Sequence, residues 1–455
     1  MNFATSCVEL LHDDSPNVPC CEHGPGLLFR RLGISGKNDG RPFYACSACR
    51  RRKDCPFFLW KEQASRCGNS EWNAVKRRVL PDSTHTQLHD KYLELLKREP
   101  RERYFCCRTL LSKKDLKKHH SGHSFTNPVS DENLRRPSRL LHADLNNATK
   151  AQYFFSDSTA RFVLDTLTRL GFDRVICVGT PTLHEHFRNE HPEVKSLLLD
   201  IEQAYEQFYG PDEFCWFNMF NNFHFRGEPS EAVVKDRLLT GRRCAVVVDP
   251  PFGGLVDAVA RTLEHLTEQA ATLDCELKVF WFFPYFNEKR IITALPRLRM
   301  CDYAVDYENH ADFTSDGGKR AKGSPVRIFT DVPLAQIPLP EGAGYKFCGT
   351  CDRWVAHHNE HCTVCNNCPS KDGGPYRHCE LCGVCVKQAN EHCSTCNRCL
   401  PPGHDCQSKG ITCFACKQSG HKSTECTQRT AAERKHFKRK FRGNVFRCKK
   451  KKKRR

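Results

Sequence analysis

Apolar residues run in short unbroken blocks through the middle of the chain. "RVICVG", "VKSLLLD" (Val194–Asp200), "RCAVVVD", "ELKVFWFFPYF" (Glu276–Phe286) and "PVRIFT" (Pro325–Thr330) are dense in apolar side chains and do not alternate with polar ones. Blocks this short that stay apolar on both sides of the pleat predict strands covered on both faces. Between them, apolar residues recur every three or four positions. "RFVLDTLTRLGF" (Arg161–Phe172), ending near Gly171, and "LVDAVARTLEHLTEQAATL" (Leu255–Leu273) predict helices. Strands alternating with helices predict an α/β domain over 130–340, built on a parallel, doubly wound sheet.

Outside that stretch the pattern changes from apolar blocks to cysteines. The chain has 30 of them in 455 residues. Those in the middle, Cys177, Cys215, Cys244, Cys275 and Cys301, are widely spaced and read as small buried residues. The terminal ones sit in Cys-x2-Cys pairs with histidines at ligand spacing, and "MNFATSCVELLHDDSPN" lacks the basic start of a secretory leader. The expectation is zinc in a reducing compartment rather than a disulfide framework. A net charge of +18 points to a polyanionic partner, nucleic acid ahead of an acidic membrane surface. No run is long and apolar enough to predict a membrane span. A Pro-rich linker, "DVPLAQIPLPEGAGY", closes the middle domain near residue 345.

The first cysteine module spans 18–62. Cys20 and His23, with Cys46 and Cys55, supply three thiolates and an imidazole, a set that suits tetrahedral zinc; Cys21 and Cys49 are spare candidates. So short a segment needs metal to fold. It resembles the GRF zinc finger, a single-strand nucleic-acid binder, and Arg41, Phe43, Phe57, Phe58 and Trp60 match that finger's basic and aromatic positions. A second candidate finger, of Cys2His2 type, lies at 100–126, where Cys107 with His120 and His123 has the spacing but Cys106 and Cys107 are adjacent, and neighbouring residues rarely share one metal. At 345–408, "HCTVCNNC", "HCELCGVC" and "HCSTCNRC" repeat. Cys348, Cys351, His361, Cys362, Cys365, Cys368, His378, Cys379, Cys382, Cys385, His392, Cys393, Cys396, Cys399, His404 and Cys406 are the ligands on offer, with the pairing open. This array resembles the cysteine-rich part of DHHC palmitoyltransferases. It lacks the Asp-His-His-Cys tetrad, so acyl transfer is excluded. "CFACKQSGHKSTEC" at 411–428 places Cys413, Cys416, His421 and Cys426 at the spacing of a retroviral-type zinc knuckle, with Phe414 as a stacking face. The tail, 429–455, is a basic run that predicts a nuclear address or an RNA-binding arm.

The block "CAVVVDPPFGG" carries the chemistry. Proline donates no hydrogen bond to a ladder, so the strand must stop at Asp249. A planar amine gains nucleophilicity when its two N–H groups are accepted and its lone pair is localised. The Asp249 carboxylate and the Pro250 carbonyl can accept them, Pro251 stiffens the turn, and Phe252 can stack on a base. Asp249-Pro250-Pro251-Phe252 resembles the [DN]-P-P-[FYW] signature of N6-adenine, N4-cytosine and glutamine methyltransferases.

Upstream, Gly179 in "VICVGTPTLHE" and Asp200 at the end of "SLLLD" fall where a class I (Rossmann-like) methyltransferase meets its cofactor and the cofactor's ribose. The order finger, "RRPSRLL", "AQYFF", "VGTPTLHE", "SLLLDIE", "NMFN", "DPPFGGLV", "FWFFPYF", "SPVRIFT", Cys/His repeats and knuckle closely resembles the zinc finger CCHC domain-containing protein 4 family, methyltransferases of adenine N6 in large-subunit ribosomal RNA. That resemblance implies S-adenosyl-L-methionine and several zinc ions, a ribosomal RNA partner with ribosome-biogenesis or RNA-processing proteins, and a nuclear and nucleolar location with the cytoplasm as a second. It also implies cofactor contacts at Gln152, Tyr153, Phe154, Phe155, Asp200, Asn218, Met219 and Asp249. The family carries arginine where this chain has Thr182. The rival readings are an RNA-binding zinc protein with a decayed core, and a DNA or protein-glutamine methyltransferase.

Overall fold

A computed structural model describes residues 8–13, 15, 17–32, 38, 40–64, 80, 83–117, 123–141, 153–239, 243–309 and 324–404. The knuckle, the basic tail, Gln152, His120 and Cys406 lie outside the described residues. The chain divides into two compact units. The larger spans 10–28 and 43–376, and the smaller comprises the described parts of 1–9, 29–42 and 377–455.

The larger unit is built on an eight-stranded sheet of β1 (Arg174–Val178), β2 (Lys195–Asp200), β3 (Phe214–Asn218), β4 (Phe223–His224), β5 (Arg243–Val248), β6 (Glu276–Pro284), β7 (Arg299–Cys301) and β8 (Val326–Thr330). Their spatial order is β4-β3-β2-β1-β5-β6-β8-β7. Pairing is parallel from β3 to β6. It is antiparallel where β8 joins β6 and β7, and where β4 joins β3. The expected all-parallel sheet is therefore a mixed one. "PVRIFT" is a strand as expected, but β7 and β8 pair antiparallel, which no crossover helix is needed to connect. β3 and β7 were not among the strands expected from the sequence, and β7 holds only "RMC".

Among the described residues, five helices pack on this sheet: α1 (Asp157–Arg169), α2 (Pro181–Glu190), α3 (Glu228–Leu239), α4 (Val256–Thr272) and α5 (Glu288–Ala294). The Ser156 hydroxyl caps α1 by accepting from the Thr159 amide at 3.2 Å. Gly171, with φ +75°, ends it in the left-handed conformation that glycine adopts without strain.

Alternate residues of each strand enter two different cores, which is why the strands read as unbroken apolar blocks. Val175, Cys177, Leu198, Ala245, Val247, Phe280 and Phe282 pack with α1 and α2. Ile176, Val178, Leu197, Leu199, Val246, Val248 and Trp281 pack with α3, α4 and α5. Neither core closes within 130–340. The first takes in Tyr92, Leu95, Phe105, Leu110 and Val129, and the second takes in Cys21, Cys46, Cys49 and Cys55 of the first cysteine module. Cys177, Cys215, Cys244, Cys275 and Cys301 are all buried in these cores, as their spacing predicts.

Candidate active site and metal centres

The strand order reverses between β1 and β5, the point at which open α/β sheets form their ligand crevice at the carboxyl ends of the strands. Val178 of β1 pairs with Val248 of β5 on one side and Leu199 of β2 on the other. Gly179 and Asp249 therefore leave the sheet side by side, and the Asp249 amide donates to the Val178 carbonyl at 3.2 Å. Gly179 has φ +67°. A Cβ there would stand 2.8 Å from Met219 Cε and 3.2 Å from the Asp249 carbonyl. Only glycine lets the backbones come this close. Asp200 ends β2 with its carboxylate accepting from the Glu202 amide at 2.8 Å. Thr182 sits in the first turn of α2.

The Asp249–Phe252 turn is roofed by aromatic rings. Phe252 lies 5.3 Å from Tyr153 and 6.1 Å from Tyr307, centroid to centroid. The Tyr307 hydroxyl donates to Asp249 Oδ1 at 3.1 Å. Burial pushes the Asp249 carboxyl well above the ordinary carboxylate range, and the Tyr307 hydroxyl works against that rise. Tyr307 is held in place by a short antiparallel contact. It bridges Phe155, the Ser156 amide donates to the Asp306 carbonyl at 3.0 Å, and the Glu308 amide donates to the Phe154 carbonyl at 2.9 Å. Sequence reading missed Tyr307. "CDYAVDYENH" has no periodicity, and only the pairing with 154–156 carries the ring to Asp249.

The cofactor contacts expected from resemblance separate into two groups. Gly179, Asp200, Met219, Asp249 and Tyr153 gather around the crevice. Phe155 is instead a core residue, 4.8 Å from Phe282, and Phe154 is buried with its amide donating to Asn309 Oδ1 at 2.8 Å. Asn218 turns away from the crevice altogether. Its Nδ2 donates to the His23 carbonyl at 2.7 Å and to Ser47 Oγ at 2.9 Å.

In the first cysteine module the ligand group is Cys21, His23, Cys46 and Cys55, with their ligand atoms within 4.8 Å of one another. Cys21 thus replaces Cys20. The pair forms a two-residue strand against Gly24–Pro25, neighbouring side chains on a strand point to opposite faces, and Cys20 Sγ donates to the Val18 carbonyl at 3.3 Å. Cys49 stands close by, its sulfur 3.6 Å from His23 Nε2. Phe43 and Phe58 stack at 5.0 Å, and Trp60 meets both edge-on. Arg52 lies 4.7 Å from the Phe58 ring centroid.

In the second module Cys106, Cys107 and His123 come together as a group that could hold an ion, so the adjacent cysteines, which rarely share one metal, lie within reach of one site here. Cys107 and Arg108 have φ +49° and +62°. This left-handed turn swings both sulfurs to one side, 3.7 Å apart, with Cys107 Sγ 3.0 Å from His123 Nδ1.

The repeats of the C-terminal array do not each hold their own ion. In the larger unit, Cys348 and Cys351 join His361 and Cys368. In the smaller unit, Cys379 and Cys382 join His392 and Cys399. Each ion thus takes a Cys-x2-Cys pair plus the first and last ligand of the following repeat. Cys362 and Cys365 adjoin, the Cys365 amide donating to Cys362 Sγ at 3.4 Å. Cys385 Sγ lies 3.8 Å from His378 Nδ1, and Cys396 Sγ lies 3.4 Å from His404 Nε2. Cys393 is half-buried on the strand Glu391–Cys393. Three thiolates with one imidazole is the donor set of structural zinc.

A family model for probable N6-adenine methyltransferases matches residues 146–315, and one for the GRF zinc finger matches residues 19–64. The crevice, the Asp-Pro-Pro-Phe turn and the thiolate–imidazole sites are those of a zinc-binding, S-adenosylmethionine-dependent adenine-N6 methyltransferase. The chain is 44% identical over 93% of its length to the human protein named rRNA N(6)-adenosine-methyltransferase ZCCHC4, covering 85% of it. It is 45% identical over 91% of its length to the Xenopus tropicalis protein of that name, covering 88% of it. It belongs to the ZCCHC4 family.

Proposed function

We propose that this protein methylates N6 of an adenosine in large-subunit ribosomal RNA. The strand order β3-β2-β1-β5-β6-β8-β7, with its reversal beside Gly179, supports a class I (Rossmann-like) core. Bound S-adenosylmethionine would supply an electrophilic methyl group, its sulfonium sulfur leaving as a neutral thioether as the N6–carbon bond forms, and the surplus N6 proton would then be lost to solvent. Asp249 Oδ and the Pro250 carbonyl accept the two N6–H bonds, so that the nitrogen lone pair localises towards that methyl. Phe252 and Tyr153 hold the base plane and exclude water. The observation that carries this reading is the half-buried Asp249 carboxylate, oriented by Tyr307 at the switch point. The basic tail supports a nuclear and nucleolar location. Cells lacking the protein should lose N6-methyladenosine from purified large-subunit rRNA digests measured by mass spectrometry. An unchanged modified fraction there would sink the substrate assignment.

Tyr307→Phe tests the acceptor. An ionised Asp249 accepts the amine's hydrogen more strongly than a protonated one, whose remaining acceptor is a neutral carbonyl. Burial has already raised this carboxyl, and removing the hydroxyl raises it further. The acid limb of the kcat–pH profile should therefore move to higher pH, with activity lost on the acid side of the profile and recovered as pH rises. Superimposable profiles for Tyr307→Phe and wild type would refute the role.

A further inference from the structure

Asn218 closes β3 at the point where the chain leaves the sheet, and it is fully buried. Its two donor bonds go to the finger, one to the backbone of the ligand His23 and one to Ser47, the neighbour of the ligand Cys46. Its Oδ1 accepts from the Phe220 amide at 3.0 Å. Asn221 Nδ2 adds a bond to the Pro25 carbonyl at 2.8 Å. The residues between these two anchors press on the catalytic turn. Met219 fills the space beside Gly179, and the Phe220 ring would meet a Cβ on Gly254 at 3.1 Å. From the finger's exposed basic loop, Arg50 Nε donates to the Gly253 carbonyl at 3.3 Å, and its guanidinium lies 5.5 Å from the Phe220 ring centroid.

We propose that the metal-held finger sets the geometry of the Asp249–Gly254 turn, with Arg50 as a positioning residue for methyl transfer. Two adjacent glycines, Gly253 and Gly254, leave the end of that turn with little intrinsic conformational preference. A ligated ion fixes His23 and Cys46, and through them Asn218 and Arg50. The ion at Cys21, His23, Cys46 and Cys55 then reaches the reacting base through Asn218 and Arg50 rather than only through RNA binding. A small displacement at a reacting centre costs far more in rate than in affinity. The same basic loop carries Arg51, also exposed, which has no such bond to the turn and serves as the comparison for a phosphate grip.

The test uses the full chain, in vitro transcribed large-subunit rRNA and labelled S-adenosylmethionine. Glutamine separates the two roles. Its Nε2 occupies the bond position of arginine Nε, so Arg50→Gln keeps the donor to Gly253 and drops the charge. Arg50→Ala should lower kcat about tenfold with KM for RNA within about twofold, and Arg50→Gln should restore most of kcat. Arg51→Ala should change KM and not kcat. Zinc content and melting temperature, measured on each variant, show that the finger is intact. If Arg50→Ala raises KM at unchanged kcat, or if Arg50→Gln is as slow as Arg50→Ala, Arg50 is not a positioning residue. The inference rests on the assignment of Asp249 to the amine site, and Asp249→Ala run in parallel separates the two. Wild-type turnover by Asp249→Ala overturns the site itself. A slowed Asp249→Ala beside a fully active Arg50→Ala overturns only the coupling.

Discussion

Asp249→Ala should slow methyl transfer by about 30- to 1000-fold while leaving the fold and the zinc content unchanged. In the proposed mechanism the carboxylate is one of two acceptors for the substrate amine, and preorganised hydrogen-bonding groups of this kind lower a barrier by roughly 2–4 kcal/mol, a factor of about 30 to 1000 in rate. The cost to folding is small by comparison. Asp249 is itself a desolvated acid, and its removal leaves only the Tyr307 hydroxyl short of a partner, about 1–3 kcal/mol. Asp249→Asn is the informative companion. Its amide oxygen can still accept, but Tyr307 and the substrate then compete for one oxygen, so partial activity is expected. Single-turnover kinetics at saturating RNA and cofactor would check both variants. Wild-type turnover by Asp249→Ala would remove Asp249 from the chemistry.

An isolated 130–340 segment should fail to fold. The sequence suggests that this stretch is a self-contained domain, one that binds cofactor and lacks only its RNA grip. The structure gives a different expectation. Tyr92, Leu95, Phe105, Leu110 and Val129 are buried in the first core, and all lie outside the segment. Burial of large apolar side chains contributes about 1.5–3 kcal/mol each, so their loss removes on the order of 10 kcal/mol. Domains of this size are stable by about 5–15 kcal/mol. Polar ties go as well. The Leu110 amide donates to Gln207 Oε1 at 2.8 Å, Gln207 Nε2 donates to the Arg108 carbonyl at 2.8 Å, and His85 Nε2 contacts the Tyr209 carbonyl at 2.8 Å. On the other face the second core loses the finger cysteines. Calorimetry of 130–340 should show no cooperative transition and no stabilisation by S-adenosylmethionine, whereas a segment starting before residue 18 and ending after 376 should show both. A sharp transition for 130–340 would mean that the two cores close without these residues.

The sequence by itself determined the chemistry that depends on short contiguous stretches. A strand cannot continue through Pro250 and Pro251, so the acid-led turn after Val248 was legible, and with it the candidate amine site proposed at Asp249. The unbroken apolar blocks announced strands buried on two faces, because side-chain alternation lets each strand feed both cores at once. The identity of the metal was legible from thiolate and imidazole content. What depends on residues distant in sequence was decided only by tertiary structure. Tyr307 reaches Asp249 because 154–156 pairs with 306–308. The choice of Cys21 over Cys20 follows from which strand face meets His23, and the sharing of a site by Cys106 and Cys107 follows from a left-handed turn. The array's ligands interleave between repeats, a pairing that spacing alone leaves open. Asn218 shows the difference most directly. Its place at a strand end beside the crevice fits a cofactor contact, yet both of its donors are taken by the finger docked behind it. A buried amide bonds whichever acceptors the fold brings within reach, and a local motif does not specify those.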